Sequence, residues 1–158
     1  MKKATNESVM IARHINAFLN EYVPSQKSRS SHTLKSYRYA LALYVGFLKT
    51  EKGISAESLC GRCFDRTIIE EWLKWLIKQR GCSPETCNNR LASLRAFLKY
   101  LGSREISLLY LYQDATRIPR KKEVRKKVKG MSKKAVQVLL SVPDLSTKAG
   151  RRDLTLMI

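Results

Sequence analysis

Asn88, Arg95 and Lys99 stand seven and four residues apart, so on a helix they share one stripe, flanked by Arg90 and Ser93. Arginine and lysine neutralise phosphates or bind guanine, and asparagine pairs with adenine in the major groove, so the set suits duplex DNA. The same residue types also solvate the outer face of any amphipathic helix, and the stripe alone leaves both readings open. An earlier segment carries a similar set: Thr33, Lys35, Ser36 and Arg38, with Tyr37 and Tyr39 interleaved. Hydroxyls and cations near a helix start bind phosphate well because the unpaired N–H groups point the same way. Capping by Ser31 or Thr33 accounts for those hydroxyls equally well.

The cysteines suggest a different chemistry. Cys60-Gly-Arg-Cys63, followed by Cys82 and Cys87, approximates the spacing of a four-thiolate zinc site. The residues between the two pairs, however, read as one amphipathic helix of about 15 residues, which is about 22 Å long. That places the pairs at opposite ends, so no metal and no cofactor is expected. A zinc-stabilised nucleic-acid-binding module remains the alternative, with a basic helical interaction protein beside it. Signals of catalysis are nearly absent. His14 and His32 are the only histidines and read as surface or capping residues, and no phosphate-binding glycine loop, HExxH or nucleophile elbow occurs. Trp72 continues an apolar stripe and is expected in the core.

Charge narrows the classes further. The chain has 158 residues with 31 Lys+Arg against 13 Asp+Glu, a net charge of +18 at 18.2 kDa. Such self-repulsion disfavours the compact state, and a polyanionic partner is its economical explanation. Nucleic acid comes first, an anionic membrane surface second and an acidic protein third. With 44% hydrophobic residues the chain is no disordered polycation. It contains no apolar run of the roughly 18 residues needed to span a bilayer, and its start, MKKATNESV, lacks the apolar core of a secretory signal. Cysteines without an export signal fit a reducing compartment, so a cytoplasmic location is expected.

The elements that must position these residues are helical. Ile11, Ile15, Phe18, Leu19 and Tyr22 predict a helix over about 7–22, ended by Pro24 and the polar stretch after it. Leu34, Tyr37, Leu41, Tyr44, Val45 and Leu48 predict a second over 32–52, with Gly53 as its C-terminal stop. Asp65 is placed to cap a third, whose inner face holds Ile69, Trp72, Leu73, Leu76 and Ile77 and which Gly81 stops. Ser83-Pro84-Glu85 gives a cap, a first-turn proline and an early acid, opening a fourth helix with Leu91, Leu94, Leu98 and Leu101 inside. A shorter fifth is expected over 106–112. No convincing strand alternation is present, so residues 7–115 read as an all-α bundle of four to five helices.

Beyond it, Arg117 to Lys134 holds ten basic residues against one acid, Glu123, and so half of the net charge. Arg120, Lys121, Lys122, Arg125, Lys126 and Lys127 form its centre, and residues 116–130 read as a solvated basic linker. Ser132 is expected to cap a short helix ending at Pro143, and 147–158 begins an apolar helix. That last helix stops within its own hydrophobic run, so the chain reads as cut there.

Two stretches resemble paired signatures of the tyrosine recombinase (phage integrase) family, which includes Xer-like site-specific recombinases. Ser30-Ser-His-Thr-Leu-Lys-Ser-Tyr37 resembles that family's S-x-x-T-x-x-x-Y helix opening. The run Ser83-Pro-Glu-Thr-Cys-Asn-Asn-Arg-Leu-Ala-Ser-Leu-Arg-Ala-Phe-Leu-Lys-Tyr-Leu101 resembles its S-x-x-T-x-N-x-R-L-A-x-L-R-x-F-x-x-Y helix. Both lie in the N-terminal core-binding domain of such enzymes, a SAM-like bundle that clamps one side of duplex DNA. Gly150-Arg-Arg-Asp-Leu-Thr-Leu-Met-Ile158 resembles the opening of the catalytic domain, making 131–158 its start.

The resemblance implies a DNA-binding portion of a recombinase from a mobile element, with other protomers on the DNA as further partners. The family's catalytic arginine, lysine, His-x-x-Arg pair and nucleophilic tyrosine have no counterparts here, so this chain is not expected to be an enzyme by itself. All seven tyrosines precede the linker. The resemblance also implies that the linker crosses the DNA, where its charge adds affinity without sequence information.

Overall fold

The computed structural model describes residues 4–27, 30–122 and 130–157. Every regular element among them is a helix. Two compact units are present, divided between Glu123 and Val124.

In the first unit, α1 (Asn6–Ala17) starts at Thr5, whose hydroxyl accepts the Ser8 N–H at 3.1 Å. It does not stop at Pro24 as the sequence predicts. From Phe18 to Lys27 the chain continues as a wider π-helical stretch with Pro24 inside it. A proline removes one helical donor and crowds the preceding turn, and the wider winding accommodates both. Within this stretch Phe18 and Val23 are fully buried. The long α2 (Ser31–Lys52) begins with Ser30 at the capping position, one residue before Ser31 and three before Thr33, the expected candidates. It ends at Gly53, whose φ of +64° is open to glycine at little cost. A short 3-10 turn, Gly61–Phe64, leads into α3 (Arg66–Lys78). Then α4 (Pro84–Arg104) opens with the predicted cap, the Ser83 hydroxyl accepting the Thr86 N–H at 3.2 Å. The fifth helix, α5 (Leu109–Thr116), follows a 3-10 turn at Ile106–Leu108 and runs four residues beyond its predicted end.

Most of the stripes read from the sequence form the core, although Val45 of α2 is half-buried and stands outside it. Leu91, Leu94, Leu98 and Leu101 of α4 are buried against Ile69, Trp72, Leu73 and Leu76 of α3 and Leu41, Tyr44 and Leu48 of α2. Ile77, expected with them, is 39% exposed, because α3 ends on that turn. Aromatic rings tie the layers together. Phe18 lies 5.4 Å from Tyr37, 5.6 Å from Phe97 and 5.5 Å from Tyr100, while Trp72 meets Tyr44 edge to face at 5.0 Å. The Tyr44 hydroxyl donates to the Cys63 carbonyl at 2.6 Å, and burial raises its pKa well above the phenol's ordinary value.

Where α4 turns into α5 the backbones nearly touch. A Cβ on Gly102 would lie 2.9 Å from the Leu109 Cα, which is main chain and cannot rotate aside. Gly102→Ala is therefore expected to cost about 1–3 kcal/mol through forced separation of the two helices. Chemical denaturation of the full chain checks this, with Ala92→Gly, an exposed site on the same helix, as a comparison costing about 1 kcal/mol.

The second unit contains α6 (Lys133–Leu140) and α7 (Lys148–Met157). Ser132 caps α6 as predicted, accepting the Ala135 N–H at 3.2 Å. The helix ends at Leu140, before Pro143, and α7 starts one residue after its predicted position. Asp144 orders the connection by accepting from both the Ser146 N–H at 2.9 Å and the Ser146 hydroxyl at 2.7 Å. Ile158 lies outside the described residues.

Candidate nucleic-acid interface

The N-terminal half of α2 and one residue of α4 enclose an open groove of about 610 Å³. Its walls are His32, Lys35, Ser36, Arg38, Tyr39, Ala42 and Arg90. On α2, positions 32, 35, 36 and 39 fall on one side because three- and four-residue steps nearly complete a helical turn. Lys35 and Arg38 are exposed, and Thr33 and Ser36 are half-buried. Arg90 reaches across from α4 with its guanidinium 4.4 Å from the Tyr39 ring centre, a cation–π contact. One of its terminal nitrogens donates to the Ser36 carbonyl at 3.5 Å, while its Nε is buried without a hydrogen-bond partner. Arg38 donates to the Asn20 side chain at 2.7 Å. Three cations and one aromatic ring thus line one concave surface. This surface has the chemistry to hold phosphate oxygens.

Two contributors escape a reading of the sequence. His32 lines the groove, and Arg80 from the end of α3 donates to the Tyr39 hydroxyl at 3.5 Å. Arg80 sits 41 residues from Tyr39, and no local pattern links the two.

The α4 stripe divides into two sets with different surroundings. Arg90 belongs to the groove. Asn88 and Arg95 instead face the chain's own backbone at the end of α5 and just beyond it. The Asn88 side-chain oxygen accepts the Lys121 N–H at 2.8 Å, and its amide nitrogen donates to the Lys121 carbonyl at 3.0 Å. Arg95 donates to the carbonyls of Ala115 at 2.9 Å, Ile118 at 2.5 Å and Thr116 at 3.4 Å. Burial, and then the neighbouring Arg120, lower the Arg95 pKa from its ordinary value. Ser93 is buried, its hydroxyl donating to the Asn89 carbonyl at 3.0 Å. Lys99 is exposed, as are Arg120, Lys121 and Lys122. Arg125, Lys126 and Lys127 lie outside the described residues, within the stretch 123–129 of the expected linker.

The cysteine pairs stay apart. Cys60 and Cys63 precede α3, with their sulfurs 3.6 Å from each other, and Cys82 and Cys87 follow it. The 13 residues of α3 hold them about 20 Å apart along its axis. Among the described residues no group of three or more histidine, cysteine or acidic side chains is placed to hold a metal ion. Burial pushes the Cys63 thiol up to about 11. No helix among the described residues is long and apolar enough to cross a membrane.

Neither a family model nor a solved structure matches the chain. Curated proteins do. A Sinorhizobium fredii protein named as an integrase/recombinase, y4rD, is 26% identical over 153 residues, covering 97% of this chain and 54% of its own length. The tyrosine recombinase XerD of Pseudomonas putida is 31% identical over 129 residues, covering 81% of this chain and 40% of its own. The tyrosine recombinase XerC of Bacillus subtilis is 25% identical over 145 residues, covering 87% and 42% respectively. The chain therefore spans about half the length, or less, of these relatives.

Proposed function

The chain is a relative of the tyrosine recombinases, and on that premise we propose that it is the DNA-gripping portion of such a recombinase, serving DNA integration and recombination. Residues 7–115 are the clamping bundle, 116–130 the basic linker and 131–158 the start of a catalytic domain. The observation that carries the reading is the convergence of Lys35, Arg38 and Arg90 on one groove lined by Tyr39. Ser36 adds a hydroxyl to its lining, and Thr33 lies three residues before it on α2. The exposed Lys99 of α4 and the basic segment around Arg120, Lys121, Lys122, Arg125, Lys126 and Lys127 extend the contact along the phosphate backbone. Such contacts give affinity and register, while base edges supply sequence preference.

Strand cleavage is not assigned to these residues. It needs a nucleophile held beside groups that stabilise the transition state. Tyr44, for one, is fully buried with its hydroxyl committed to a carbonyl. The partners under this reading are duplex DNA and other recombinase protomers on it.

Titration of the full chain with duplex DNA at several salt concentrations tests the proposal. Binding in about the micromolar range at low salt is expected, falling steeply as salt rises. Replacing Lys35, Arg38 and Arg90 together by alanine is expected to reduce the slope of log affinity against log salt by about 2–3, near 0.9 for each phosphate no longer neutralised. Absence of binding at low salt, or displacement of DNA by anionic vesicles at matched charge, overturns it.

A further inference from the structure

We propose that Asn88 and Arg95 are positioning residues that hold the start of the basic segment in a fixed path along α4, presenting Arg120, Lys121 and Lys122 to DNA as a preformed edge. This role rests on the DNA-binding reading above and changes what the polar stripe of α4 does within it.

The geometry begins at the end of α5. The last carbonyls of a helix have no partner within it and carry partial negative charge. Arg95 covers this end from another helix, donating to Ala115, Thr116 and Ile118 together. Ala115 and Ile118 are buried beside it, so the chain is pinned by packing as well as by charge. Three residues later Asn88 takes both the N–H and the carbonyl of Lys121. The two anchors match in spacing. Arg95 and Asn88 are seven residues apart, about 10.5 Å along a helix, and Ile118 to Lys121 covers about 10 Å if the chain is extended. Residues 118–121 therefore run back along α4 toward its N-terminus, tied at both ends.

Both anchors bind main chain. Asn88 is 4% exposed, and Arg95 is half-buried with three carbonyls around its guanidinium. A side chain that reads bases must offer free donors and acceptors to a groove. These two instead fix a backbone whose own side chains at 120, 121 and 122 point their charge into solvent. A segment ordered before binding loses less freedom on binding, and its charges act together.

Hydrogen exchange and DNA titration of the full chain, wild type against Asn88→Ala and Arg95→Ala, test this. Loss of Lys121 amide protection is expected in Asn88→Ala, with DNA affinity about tenfold weaker on every sequence alike. Arg95→Ala is expected to weaken binding by a similar factor with an unchanged salt slope, because no phosphate contact has gone. If Arg95→Ala fails to fold, Asn88→Ala carries the test alone. A slope reduced by about 0.9 in Arg95→Ala marks a direct phosphate contact and overturns the positioning role. A loss in Asn88→Ala confined to one DNA sequence marks base reading and does the same. Lys121 protection that survives both substitutions overturns the anchoring whether or not DNA binds. Wild-type chain that is protected at Lys121 but binds no DNA overturns the DNA-gripping function and with it the purpose assigned to the anchor.

Discussion

Phe18→Ala is expected to destabilise the first unit by about 3–5 kcal/mol, the range for emptying a fully buried aromatic site. Phe18 closes α1 and opens the π-helical stretch, and it is 0% exposed. Its ring contacts Tyr22 within its own segment, Tyr37 on α2, and Phe97 and Tyr100 on α4. Removing it leaves a cavity bordered by four rings that cannot all move inward, because they are carried by three separate segments of packed backbone. The loss is large against a typical domain stability of about 5–15 kcal/mol. Urea denaturation followed by tryptophan fluorescence measures it, since Trp72 lies in the same core. Phe18→Leu refills most of the volume and is expected to recover more than half of the loss. A cost below about 1 kcal/mol in the alanine variant would mean that the stretch from 18 to 27 is not packed as described.

Replacing Lys121, Lys122, Lys126 and Lys127 together by alanine is expected to have the largest effect on DNA binding. Four phosphate contacts at about 0.9 each correspond to a salt slope lower by about 3–4. The effect is expected on all duplexes alike, because phosphate contacts carry no sequence information. Lys121 and Lys122 are exposed, and exposed lysines contribute little to folding, so the melting temperature of the variant lacking these two alone is expected to stay within a few degrees of wild type. A quadruple variant that binds as the wild type does would remove the basic segment from the interface. The Lys35/Arg38/Arg90 variant reports on the groove, and a variant carrying both sets of substitutions shows whether the two reductions in slope add.

Much of the fold was legible in the chain alone. The 3–4–3 run of Leu91, Leu94, Leu98 and Leu101 has one face to bury, and burying it specifies a helix against other helices. Ser83-Pro84 and Gly53 mark ends because a hydroxyl satisfies a free N–H and a glycine tolerates a positive φ, and both effects are local. Pro24 was misleading for a local reason too. A proline predicts an end when only its own turn is considered, but Phe18 and Val23 bury themselves in the bundle and hold the wider winding around it.

The candidate site was legible as composition and not as arrangement. Helical spacing grouped Asn88, Arg95 and Lys99 into one stripe and set Arg90 beside it, and that much follows from 3.6 residues per turn. What each side chain meets depends on the element packed against that side. Residues 115–121 return along α4 and occupy Asn88 and Arg95, whereas Arg90 rests on the Tyr39 ring of α2 in the wall of an open groove. The sequence by itself determined an all-α chain, its apolar faces and its excess of positive charge, because helix periodicity and net charge are properties of order and composition. Which cations face solvent and which bind the chain's own carbonyls depends on how the helices pack. A hydrogen bond between residues 33 positions apart, such as that of Asn88 with Lys121, exists only once the intervening helices have packed.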